Sequence, residues 1–284
     1  MTQTASLSPL ASATGTTPAR TFPKLKVEDV SKSYGEGDKR VTIVDKVNFS
    51  LADNEFVALV GTSGCGKSTV LSIVAGLTEG YEGVVLVDDR QVVGPGVDRG
   101  MIFQSYSLMP WLTALGNVEF ALEAVGVPRK ERRERAMETL ALVGLDRFAD
   151  RFPAQLSGGM KQRVAIARAL SYRPKMLLMD EPFGALDALT KRHLHEQLTA
   201  IWEKHRLTVL FVTHDVEEAI FLSDRVLIMS TMPGRIKHVV DVKLPRPRNG
   251  EMISGPEFAA YQKEILSSIR EETLKLARLD GSAP

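Results

Sequence analysis

The chain has 284 residues, 44% of them hydrophobic, with 36 basic and 35 acidic side chains and a formal net charge of +1. That length and apolar content suffice for one enlarged domain with its own core, and the near-zero charge gives no electrostatic ground for nucleic acid as the principal partner. The single cysteine, Cys65, excludes an internal disulfide framework and fits a reducing compartment.

Residues 1–22 are rich in Ser, Thr and Ala, with no basic residue before Arg20 and no continuous apolar stretch; they read as a disordered lead, not a secretory signal. No apolar run approaches the roughly 20 residues a membrane-spanning helix needs, so membrane association is expected only through a partner. β-Branched runs at 47–51 and 56–60 read as strands, followed by a glycine-rich loop and a helix over 69–77. Strand-like runs at 83–87 and 101–103 precede a charged stretch, 128–143, whose apolar positions recur at helical spacing. After a second helix ending near Arg173-Pro174, residues 176–179 read as a buried strand, 186–204 as a helix and 208–212 as another buried strand. This alternation implies a parallel sheet. Two last β runs, 225–230 and 236–242, meet a Pro-rich linker at 244–250. Residues 256–279 then read as an amphipathic helix with Phe258, Tyr261, Ile265, Ile269 and Leu276 on one side. That stripe packs either on the chain's own domain or on a partner.

Gly61-Thr62-Ser63-Gly64-Cys65-Gly66-Lys67-Ser68-Thr69 fits the phosphate-loop pattern in full and stands between a strand and a helix. Its glycines let the backbone wrap around phosphates, Lys67 offers a cation to the β and γ groups, and the Ser68 hydroxyl can ligate Mg2+. Cys65 reads as a small residue at a close approach more readily than as a reactive thiol. Asp180 and Glu181 end an apolar strand, where ligands bind in open α/β sheets. Ser157-Gly158-Gly159 leads directly into a helical run, Lys161 to Leu170, so free N–H groups and the positive helix end form a second anion receptor. Thr213-His214-Asp215 follows a strand and brings His214 to the same sheet edge as the carboxylates. His193 and His195 point to different helix faces and form no metal pattern.

In order and spacing, these motifs closely resemble those of ATP-binding cassette (ABC) proteins over roughly residues 25–242. The resemblance implies an α/β P-loop NTPase core with a mainly parallel sheet, an antiparallel β subdomain, a helical signature subdomain at about 105–172 and a C-terminal amphipathic helix. The expected divisions are 1–22, an ATPase domain over 23–243, and a linker with helical extension over 244–284. By resemblance, Asp180 orders the Mg2+ shell, Glu181 polarises the attacking water, and His214 bonds the γ-phosphate. Gln104, after Met101-Ile102-Phe103, matches the glutamine that reaches Mg2+ and senses the γ-phosphate. Tyr34 matches the aromatic that stacks on adenine, the alternative being strand packing. Asp187 matches the loop that links two sites of a dimer, and Ser157-Gly158-Gly159 caps the ATP held by a second copy.

The run from Leu108 through Trp111 to Val118 resembles the loop that importer ATPases present to a permease, although Trp111 could equally be a core residue. With the Leu244-Pro245-Arg246-Pro247-Arg248 ending, it is similar to ATPases of nitrate, sulfonate and taurine importers. The resemblance implies an ATPase peripheral to the cytoplasmic face of the membrane, working with permease subunits and, indirectly, a solute-binding protein. The transported solute is not encoded here. A soluble cassette ATPase acting on DNA or ribosomes is the alternative; long coiled-coil insertions or a second cassette, usual there, are missing. A P-loop kinase or GTPase leaves the Ser157 motif unexplained, and intact hydrolytic residues disfavour a non-enzymatic regulator.

Overall fold

The computed structural model describes residues 23–279, so the expected N-terminal lead lies outside the described residues. In chain order, β1 (Leu25–Tyr34) and β2 (Val41–Leu51) form an antiparallel pair before β3 (Phe56–Val60) and α1 (Lys67–Ala75). Next come β4 (Glu82–Val87), β5 (Arg90–Gln91) and β6 (Arg99–Ile102), then three helices, α2 (Ala114–Ala124), α3 (Arg129–Leu142) and α4 (Gly158–Ser171). The chain continues through β7 (Met176–Asp180), α5 (Ala188–His205), β8 (Thr208–Val212), α6 (Val216–Leu222), β9 (Arg225–Met229) and β10 (Ile236–Asp241), ending in α7 (Pro256–Leu279).

The strands form two sheets. One has the order β2-β1-β4-β5 and is antiparallel; the other has the order β10-β9-β3-β8-β7-β6 and is parallel except for β10. Every residue of β3 and β8 is buried, as a parallel strand covered on both faces requires. Helix α1 lies between the sheets: its Val70, Leu71, Ile73 and Val74 share a cluster with Leu25, Val27 and Val47 of one sheet and Val57, Leu59 and Leu210 of the other. A second cluster on the opposite face joins Phe56, Ala58 and Phe211 to α2, α3, α4, α5 and α6. The phosphate loop therefore emerges from the central strand β3 between two packed layers.

Several elements differ from their expected bounds. β2 begins at Val41, six residues before the expected 47, because its first half pairs with β1 through irregular register. Helix α1 starts at Lys67, set by Gly66 at φ +98°, where a Cβ would also stand 2.5 Å from Val44 Cγ1. Helix α2 lies in the region expected to be helical but begins inside the run 108–118 expected as a loop; Thr113 caps it by accepting the Gly116 N–H at 3.0 Å.

The apolar stripe of α7 packs on the chain's own domain. Phe258 and Ile265 are fully buried, with Tyr261 and Ile269 against the same cluster, and each full burial contributes about 2 kcal/mol. Residues 244–250 are tied down: buried Arg248 donates to the carbonyls of Ile220, Phe221 and Ser223 at 2.8, 3.1 and 2.7 Å, satisfying the end of α6. No helix of the described residues is long and apolar enough to cross a membrane.

Candidate active site

The phosphate loop is built for close approach. Gly64, at φ +79°, has nothing within 4 Å of where a Cβ would stand, so its backbone faces open space, while Cys65 is buried and burial pushes its thiol up, away from the reactive thiolate. Lys67 is only 5% exposed, and its ammonium group donates to the Gly61 and Thr62 carbonyls at 3.0 and 3.1 Å. Those are neutral acceptors, which leave the charge free to meet an anion. Thr62 Oγ1 is buried with no partner, a polar atom that a ligand at this loop can satisfy. Ser63 is exposed, and Thr69 lies half-buried in α1.

Ser68 Oγ donates to Asp180 Oδ1 at 2.9 Å, joining the start of α1 to the end of β7. Among the described residues no cluster of three or more His, Cys, Asp or Glu could hold a metal alone. One hydroxyl and one carboxylate oxygen form a hard donor pair that fits Mg2+, which takes its remaining ligands from phosphate oxygens and water. Next to Asp180, Glu181 adopts φ +42°, with its N–H bonded to the Val212 carbonyl at 2.9 Å. A non-glycine residue held there stores strain, which collects at functional positions. Its carboxylate Oε2 and His214 Nδ1 share a hydrogen bond of 2.9 Å. Gln104 is exposed, and a Cβ on Gly184 would stand 3.7 Å from its Nε2 and 3.9 Å from Glu181 Oε2, so both side chains flank one glycine.

The turn expected as a second anion receptor stands at the start of α4. Ser157 caps that helix by accepting the Met160 N–H at 3.3 Å. Gly158 and Gly159 permit close packing: a Cβ on Gly159 would lie 2.5 Å from Thr190 Cγ2, and one on Gly158 would lie 3.0 Å from the Tyr106 hydroxyl and 3.2 Å from Leu186 Cδ2. The Ser157 turn is thus held against the start of α5, where Asp187 caps the helix by accepting the Thr190 N–H at 3.0 Å. That bond holds the exposed Asp187 carboxyl below the usual carboxylate range. Tyr34 ends β1 with its ring about half exposed and Lys32 Nζ 5.0 Å from the centroid, so the ring is not core packing.

A family model described as ABC transporter matches residues 44–184. An ABC transporter ATP-binding protein of Methanocaldococcus jannaschii is 51% identical over 252 residues, spanning 89% of this chain and 93% of its own. The nitrate import ATP-binding protein NrtD of Synechocystis is 45% identical, with 89% and 99% covered, and the bicarbonate transport ATP-binding protein CmpD of Synechococcus elongatus is 47% identical, with 81% and 84% covered. The chain belongs to the ABC transporter family. A dimeric structure of the ATP-binding cassette MJ0796, in a post-hydrolysis state bound to ADP and Pi, matches this ABC ATPase with a TM-score of 0.67 and 36% identity. The match covers 78% of this chain and all of that one.

Sequence reasoning missed how the ABC ATPase holds His214. The Thr213 hydroxyl donates to Glu218 at 2.7 Å and accepts the Asp215 N–H at 3.0 Å. Asp215 in turn caps α6 through the Glu217 and Glu218 N–H groups. Glu218 is 3% exposed and pairs with Lys191 of α5 at 3.2 Å. Burial alone would push its carboxyl up; His195, Thr213 and Lys191 together hold it below the ordinary range. The signal was present: Asp followed three residues later by Glu is a helix-start pattern.

Proposed function

We propose that this ABC ATPase is the motor subunit of an importer for a small anion, nitrate, an alkanesulfonate, taurine or bicarbonate being the chemistries in view. The names of NrtD and CmpD support the direction and the solute class. The observation that carries the catalytic reading is the pairing of Ser68 with Asp180 and of His214 with Glu181 beside buried Lys67.

On this reading Lys67 turns from its two carbonyls to the β- and γ-phosphates of ATP, which the N–H groups of 61–69 surround. Ser68 and Asp180 hold Mg2+, with Gln104 beside them; when bound, the ion neutralises charge on the β- and γ-phosphate oxygens. Glu181 takes the proton as water attacks the γ-phosphorus and the bond to the β–γ bridging oxygen breaks. His214 fixes the carboxylate in register. Tyr34 offers its exposed ring to adenine.

Ser157, Gly158 and Gly159 then cap the γ-phosphate held by a second copy, with Asp187 at the joint. Leu189, 80% exposed on the first turn of α5, supports an interface there. Trp111 is 69% exposed in the turn before α2, an aromatic anchor suited to a permease subunit. The permease in turn links the motor to a solute-binding protein and holds it peripherally at the cytoplasmic face. Glu181→Gln tests the chemistry: ATP binding and an ATP-stabilised dimer persist while turnover falls at least about 100-fold. Phosphate release near the wild-type rate from this variant would sink the role given to Glu181.

A further inference from the structure

Helix α7 lies far along the chain from the nucleotide loop, yet one of its carboxylates is wired to it. Glu272 is 1% exposed. Its Oε2 accepts the Thr231 N–H at 3.1 Å, and its Oε1 meets Lys237 Nζ at 2.9 Å and Lys275 Nζ at 2.7 Å. A buried carboxylate costs several kcal/mol of desolvation unless it is fully partnered, and the apolar stripe of α7 already anchors the helix. One of its oxygens is directed instead at the strap between β9 and β10, through the Thr231 N–H.

That strap, residues 230–235, closes on itself. Ser230 Oγ donates to the Pro233 carbonyl at 3.1 Å and accepts the Arg235 N–H at 3.0 Å. Its far end is sewn to β2: the Gly234 N–H donates to the Ile43 carbonyl at 2.8 Å, the Asp45 N–H donates to the Gly234 carbonyl at 3.0 Å, and Arg235 pairs with Asp45. Gly234 also touches the phosphate loop, because a Cβ there would lie 2.0 Å from the Cys65 carbonyl oxygen. With Val44 against Gly66 on the other side, the Cys65–Gly66 segment is clamped between the strap and β2.

We propose that Glu272 is a positioning residue for the nucleotide, holding the Cys65–Gly66 backbone in its phosphate-receiving shape through Thr231 and Gly234. The inference rests on reading 61–69 as the phosphate receptor. Without Glu272 the Thr231 N–H is orphaned, Lys237 and Lys275 lose their shared counter-charge, and the strap keeps only its bonds to β2, so Gly234 is held less firmly against Cys65. A loop competent only a fifth of the time binds about fivefold more weakly. Glu181 and His214 follow other strands, β7 and β8, and keep their geometry, so affinity falls while the maximal rate holds.

The test uses the full chain, titrated with fluorescent N-methylanthraniloyl-ATP and Mg2+, with ATPase rates and hydrogen exchange of residues 61–69 measured beside it. Glu272→Ala raises Kd and KM about fivefold, speeds exchange in that loop and leaves kcat near wild type. Glu272→Gln, which keeps an acceptor for Thr231, falls between. Ile265→Ala, which cuts the apolar anchor of the same helix, lowers Tm and leaves Kd within about twofold. Lys67→Ala abolishes binding. Unchanged Kd in both Glu272 variants, with binding lost in Lys67→Ala, overturns the positioning role alone; so does an equal rise in Ile265→Ala. Normal binding in Lys67→Ala overturns the phosphate-receptor reading itself.

Discussion

Asp180 ends a strand whose other four residues are buried. Burial pushes its carboxyl above the ordinary value; the Ser68 hydroxyl opposes that, neighbouring Glu181 adds to it, and Lys67 opposes it. A carboxyl whose pKa is raised on folding binds its proton more tightly in the folded state. Ionised Asp180 therefore subtracts stability in full above that folded value; the penalty fades as pH falls through it and is gone below the unfolded value. Asp180→Asn keeps the shape and removes the charge. In the absence of nucleotide and Mg2+ its Tm is expected at or above wild type, while ATP turnover drops at least about 100-fold because the anionic carboxylate donor becomes a weaker, neutral amide oxygen. Calorimetry beside phosphate release checks both halves; a Tm several degrees lower would mean that the charge serves the fold. At this scale the candidate site was legible, because Lys67, Ser68, Asp180, Glu181 and His214 lie in short motifs, and the structure brings Ser68 to Asp180 and His214 to Glu181. The left-handed backbone of Glu181 and the contact of Gly159 with Thr190 were not, since both depend on neighbours distant in sequence.

Periodicity located the buried strands and long helices well, because burial on both faces of a parallel sheet leaves a continuous apolar run. It failed where apolar spacing is short or interrupted. Gly116 and Asn117 hid the start of α2 within the run 108–118 expected as a loop; Asn117 proves to be fully buried, its side chain bonded to the Met109, Leu112 and Thr113 carbonyls. Helix α6 has seven residues, too few for a period, and is announced only by its cap. That cap makes a prediction at the scale of the element. Asp215 accepts two N–H groups at 3.0 and 3.3 Å, so Asp215→Ala costs about 1 kcal/mol of stability and loosens the segment that carries His214. Urea unfolding should give a lower midpoint with unchanged slope, and turnover should fall with ATP affinity preserved. A variant that loses stability with full turnover would detach α6 from the positioning of His214.

The two segments proposed as anion receptors stand on different supports. Residues 61–69 emerge from the central strand of the parallel sheet, backed by β2 and the strap, whereas Ser157–Gly159 sits on the three-helix subdomain, braced by Leu186 and Thr190. The cleft beside Ser157 is lined by Gly159, Arg163, Leu189, Thr190, His193 and Leu194, with no residue of the phosphate loop. A receptor built to this degree yet open on its own chain fits a site completed between two copies, an arrangement a single sequence expresses only as two separate motifs. Ser157→Arg separates the two halves. The exposed serine leaves room for the longer side chain in the free subunit; loss of its cap on α4 costs about 1 kcal/mol, so the chain still folds and ATP affinity stays near wild type. At a joint, the bulk and charge occupy the space meant for the γ-phosphate of the other copy. Light scattering with ATP and Mg2+ should then find a monomer where Glu181→Gln gives a dimer, and phosphate release should fall to background. Full turnover in Ser157→Arg would mean that each copy hydrolyses ATP unaided, and the Ser157 turn would need another ligand.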